Sequence, residues 1–139
     1  MIRTDKLGDK ALPTSCNGAK LGKDFGRTKI RTGKVIINKN IDIKNAYATA
    51  CHECIHVYDG KRGLISIKLF DNAKQTLGYR NKNERREFDK LLLDLLGIDY
   101  YNKYKDDTTE ILAYAYEEWL YGSNNRLVHE LINGLLRTL

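Results

Sequence analysis

No apolar run in this 139-residue chain approaches the roughly 18–20 residues that span a bilayer. The N-terminus, Met1-Ile2-Arg3-Thr4-Asp5-Lys6, is charged and lacks the apolar core of a signal peptide. The sequence as given is therefore expected to be cytoplasmic, unless a leader was removed or export uses another route. Cysteine is scarce, and its count of three is odd, so no disulfide framework is implied. There is one proline, Pro13, and no internal repeat or low-complexity block. Among the N-terminal lysines the only aromatic residue is Phe25, so no base-stacking surface is visible and nucleic acid is not an expected partner.

The apolar content of 42% is enough for a core, and the length implies one domain over residues 1–139. The net charge of +6 is unevenly placed. Residues 1–44 hold 11 Lys/Arg against 4 Asp/Glu, and the remaining residues hold 13 against 14. This is the pattern of a solvated basic N-terminal segment, or of a surface for an acidic partner.

Residues 1–26 are Gly- and Lys-rich and read as loop. Residues 27–38 read as two short strands around Thr32-Gly33. Residues 44–58 read as helix, with Gly60 as a stop. Residues 61–80 are ambiguous, because Leu64-Ile65-Ser66-Ile67-Lys68-Leu69-Phe70 suits strand or helix. Asn83–Leu96 carries Phe88, Leu91, Leu92 and Leu95 at helical spacing, and Gly97 is expected to end it. A Tyr-rich loop with Tyr100, Tyr101 and Tyr104 is expected next. Asp107 or Thr108 then caps a helix to about Tyr121, closed by Gly122. Ser123 or Asn124 caps a last helix with Leu127, Leu131 and Leu135 on one face. The expected class is α+β, mainly helical, with a small sheet packed beside the helix at 44–58.

Two of the three histidines fall in His52-Glu53-Cys54-Ile55-His56, a HExxH pentad inside that helix. Positions four apart return to the same helix face, so His52 and His56 can aim two imidazoles at one ion. Glu53, one residue round, can reach a water on that ion and act as general base. A zinc hydrolase of this kind takes three protein ligands, so one more is needed. No histidine lies in the six residues after His56, and His129 reads as an ordinary side chain of the last helix. Glu110 and Glu117 are seven apart on one helix face, with Glu118 turned away. Glu110 also has a structural reading, because Asp107-Thr108-Thr109-Glu110 has the spacing of a capping box. Cys51 and Cys54 overlap the pentad. With His52 at 0°, Cys54 lies near about 200° and Cys51 near about −100°, away from the His56 direction, so both read as packing residues.

The run His52-Glu53-Cys54-Ile55-His56-Val57-Tyr58-Asp59, followed by Thr109-Glu110-Ile111-Leu112-Ala113-Tyr114-Ala115-Tyr116-Glu117-Glu118-Trp119-Leu120, resembles the catalytic domain of anthrax lethal factor and its relatives, the clostridial Pro-Pro endopeptidases among them. A weaker resemblance is to Atp23-type metalloproteases. The resemblance covers residues 45–122 and implies a zincin-like metalloprotease fold. It implies His52, His56 and Glu110 as ligands of one Zn²⁺ per chain, Glu53 as base, and Asp59 as an acceptor that orients a ligand or holds the helix end. It also implies a tyrosine before the ligand Glu as oxyanion donor. The usual position is Lys103 here, flanked by Tyr104 and Tyr101, and Tyr104 is preferred. Tyr114 departs from relatives that carry another Glu there.

The expected function is zinc-dependent hydrolysis of a peptide bond. The expected partner is a protein or peptide substrate lying extended along residues 34–38. The alternative is a catalytically idle binding module of the same fold, with an acidic protein or nucleic-acid partner; a pure scaffold has no need of Glu53. A non-peptide hydrolase is a third possibility, though two imidazoles favour zinc over the Mg²⁺ of most nuclease sites.

Overall fold

A computed structural model describes residues 26–29, 34–37 and 43–139, with side chains from Ala46 onward. The expected N-terminal loop up to residue 25 and the turn at Thr32-Gly33 lie outside the described residues. The chain divides into two compact units, Met1–Lys61 and Arg62–Leu139.

In the first unit, β1 (Gly26–Lys29) pairs antiparallel with β2 (Lys34–Ile37), with Gly26 opposite Ile37 and Lys29 opposite Lys34. This ribbon lies against α1 (Ile43–Asp59). The small residues Ala46, Ala48, Thr49 and Ala50 are buried, as are His52, Glu53, Ile55 and Asp59. Burial on so many sides marks α1 as an interior helix rather than a surface one. It stops at Gly60, whose φ of 78° is left-handed and whose N–H donates to the His56 carbonyl at 3.1 Å.

The second unit is a cluster of four helices. They are α2 (Leu64–Thr76), α3 (Lys82–Tyr104), α4 (Thr108–Leu120) and α5 (Arg126–Thr138). Leu127, Val128, Leu131, Ile132, Gly134 and Leu135 of α5 are buried, a continuous stripe at helical spacing. The stripe packs on α2, α3 and α4. A Cβ on Gly134 would meet Leu69 Cδ2 at 2.7 Å, so the glycine lets α2 and α5 approach. Phe88 meets Phe70 and Tyr79 edge-on, with ring centroids 5.5 and 5.1 Å away.

The expected α+β class is corrected here. Every regular element from residue 43 to the C-terminus is a helix. The only strands among the described residues are the two four-residue strands of this ribbon, which is not a sheet layer. Residues 34–37 form one strand of this ribbon, and substrate docking along residues 34–38 stays a proposal. The ambiguous Leu64–Phe70 stretch is helical. Ser66, Leu69, Phe70 and Ala73 are its buried positions, spaced i, i+3, i+4, i+7, and they outweigh the β-branched Ile65 and Ile67.

The helical backbone through Leu96 ends at Gly97 as expected, at φ 76°, ψ 161°, but helix resumes directly after it through Tyr104, so α3 is two helical segments joined at a kink and the expected Tyr-rich loop is helical. The cap of the last helix is Asn125 rather than Ser123 or Asn124. Its Oδ1 accepts from the N–H groups of Leu127 (2.8 Å) and Val128 (3.2 Å). Its Nδ2 donates to the Leu91 carbonyl of α3 at 2.8 Å. Losing a cap and an interhelix hydrogen bond together costs about 1–3 kcal/mol. Asn125→Ala is therefore expected to lower the urea midpoint by that amount of stability, with an unchanged m-value.

Candidate metal centre

The HExxH pentad occupies the C-terminal half of α1. The Nε2 atoms of His52 and His56 are 3.3 Å apart, and the rings meet edge-on at 67° with centroids 5.0 Å apart. Two nitrogens held 2.0–2.1 Å from one zinc at the tetrahedral angle lie about 3.3–3.4 Å from each other. The pair thus has the spacing that a shared ion requires. His52 and Glu53 are buried, and His56 is half-buried.

Glu110 lies in the first turn of α4. Asp107 caps that helix by accepting from the Glu110 N–H at 3.3 Å and from Thr109 Oγ1 at 2.7 Å. A capping box would also need the Glu110 carboxylate to reach back to the Asp107 N–H. That N–H instead donates to the Tyr104 carbonyl at 2.9 Å. The capping geometry therefore does not explain the Glu110 side chain. One ligand atom from each of His52, His56 and Glu110 lies within 4.8 Å of the others. It is the one group of three or more His, Cys, Asp or Glu of this kind among the described residues.

The remaining candidates fall outside that group. Glu117 shares the α4 face, and its charge helps to raise the Tyr114 pKa. Burial, then the Glu117 charge, raises the Glu118 carboxyl. His129 is exposed, and its Nε2 meets the Ser123 carbonyl at 2.7 Å. Cys51 and Cys54 are half-buried. Burial, then Cys51, pushes the Cys54 thiol up, the opposite of what a ligand or nucleophile needs. Asp59 is buried at the end of α1.

An aromatic cluster next to Glu110 was not anticipated. Tyr114 lies one turn beyond Glu110 and stacks on Tyr100, with centroids 5.2 Å apart at 30°. Tyr104 lies 6.0 Å from Tyr114 and 5.7 Å from Tyr100. Lys103 Nζ sits 5.1 Å over the Tyr104 ring, and Lys105 Nζ sits 5.8 Å over Tyr101. Of the two oxyanion candidates, Tyr104 joins this cluster. The i, i+4 spacing of Tyr100 and Tyr104 was the available signal, and it carries weight only once residues 98–104 are helical. Gly97 makes that possible, since positive φ with extended ψ is a glycine conformation.

Comparison of the chain with protein-family models, with curated proteins and with solved structures returned no match.

Two expectations follow. Gly97→Ala forces a side chain into that backbone region, and should cost about 1–3 kcal/mol in chemical denaturation. Burial, then the neighbouring Tyr100 and Glu110, raises the Tyr114 pKa well above its ordinary value of 10.0. The folded state then keeps a proton that the unfolded chain releases, so stability falls as pH rises above about 10. Phenolate absorbance should show one tyrosine ionising late in the wild type and none late in Tyr114→Phe, whose stability should fall less steeply.

Proposed function

We propose that the chain is a zinc-dependent metallopeptidase, with His52, His56 and Glu110 as the ligands of one zinc ion. The observation that carries this reading is the convergence of these three side chains within 4.8 Å, with the imidazole pair 3.3 Å apart. The donor set supports zinc, since two imidazoles and one carboxylate match the make-up of catalytic zinc sites. The resemblance to the lethal factor catalytic domain points the same way.

Bound zinc supplies a Lewis acid that polarises a carbonyl and lowers the pKa of water toward about 7. The rest is the work of the chain's own groups. His52 and His56 offer Nε2 lone pairs, which requires their remaining protons on Nδ1. Glu110 contributes one negative charge. The Glu53 carboxylate takes a proton from the attacking water and passes it to the leaving amine nitrogen. Its burial keeps competing water away from that transfer. The Tyr104 O–H donates to the carbonyl oxygen as charge builds there, a contribution of a few kcal/mol at most. The substrate is a protein or peptide.

The decisive experiment is elemental analysis for zinc after dialysis against a weak chelator, with peptide cleavage measured in parallel. About one zinc per chain is expected in the wild type, with a clear loss in Glu110→Ala. Glu53→Gln should keep its zinc and lose turnover by at least about 100-fold, the lower range of general-base contributions. A wild type that takes up no zinc would end the metallopeptidase reading. Zinc retained in full by Glu110→Ala would exclude Glu110 as the third ligand. Unchanged behaviour of Glu53→Gln would favour the binding module.

A further inference from the structure

The tyrosine cluster adjoins Glu110, yet only Tyr104 has a role in the chemistry above. We propose that Tyr100, Tyr104 and Tyr114 form a subsite that takes an aromatic side chain of the peptide substrate beside the bond that is cut. This rests on the metallopeptidase reading and names its substrate class.

Three observations meet here. The first is position: Tyr114 stands one helical turn from Glu110 on the same face of α4, so its ring lies against the ligand carboxylate's own turn. The second is geometry. Tyr100 and Tyr114 are already offset-stacked at 5.2 Å and 30°, and Tyr104 closes the third side. Tyr100 keeps 46% of its surface exposed, so the wall of rings opens to solvent. A further ring can extend such a stack or meet it edge-on. The third is charge. Glu117 lies three residues beyond Tyr114 on its helix, which disfavours an acidic side chain. Lys103 covers the Tyr104 ring, so Tyr100 offers the open surface.

Aromatic pairing beyond simple burial corresponds to a preference of about two- to twelvefold. The test is digestion of a random-sequence peptide mixture by the zinc-loaded protein, with the new termini read by mass spectrometry. Phe, Tyr or Trp should be enriched by that factor at one position next to the cut. Tyr100→Ala should abolish the enrichment while its zinc content stays at the wild-type level. Cuts without aromatic enrichment, enrichment of Lys or Arg instead, or enrichment that survives Tyr100→Ala would overturn the subsite and leave the metallopeptidase standing. A second measurement is independent of turnover. Saturation-transfer NMR on zinc-loaded Glu53→Gln should show N-acetylphenylalaninamide bound more strongly than N-acetylleucinamide. That difference should vanish when Tyr100→Ala is added. Equal signals from the two amides would overturn the subsite, whereas absence of cleavage with the aromatic difference intact would remove the peptidase and keep the ring site.

Discussion

The burial of one face of α4 is the constraint on which the second unit depends. Ile111, Ala113 and Ala115 are wholly inaccessible, and Leu112 nearly so. α2, α3 and α5 all pack against this helix. With Ile111 locked in the core, its neighbour Glu110 has little freedom of rotation about the helix axis. The same locking sets Tyr114 and Glu117 along one half-buried stripe. Core packing thus aims the chemistry, because a shift of α4 would empty space that costs roughly 24 cal/mol per Å³ to leave unfilled. The chemistry-bearing face and the core face are two sides of the same 13-residue element.

The first unit faces a different problem. Its helix buries two polar residues, His52 and Glu53, in a single turn. Burying such groups is costly unless they find partners. His52 meets His56 within the motif, and the N-terminal half of the helix is alanine-rich.

Much of the candidate site was legible because it is local. His52 and His56 share a helix face by spacing alone, with Glu53 one residue round from them. The apolar stripe of α5 and the cap at Asp107 also follow from short-range pattern. The competing role of Glu110 in a capping box could not be judged from spacing, since it turned on where the Asp107 N–H goes. The α+β expectation rested on the two strands read at residues 27–38, which form only a two-stranded ribbon, while Leu64–Phe70, open to either reading, became helix because β-branched residues mark a strand only when others are present to pair with it. The three-tyrosine cluster was hidden by Gly97. A glycine after an apolar helix is ordinarily a terminator, and nothing in the sequence says that helix resumes one residue later at a new angle. Non-local partners and a backbone exception were what local reading missed.

Asn125 ties two events into one. The same amide that starts α5 also holds the carbonyl of Leu91 in the middle of α3. The first turn of α5 cannot open without loosening that helix-to-helix tie. Fraying, which ordinarily begins cheaply at helix ends, is here coupled to undocking. Amide exchange at this junction should therefore occur through larger openings shared with α3, making the α4–α5 connection part of a cooperative folding unit rather than a soft joint.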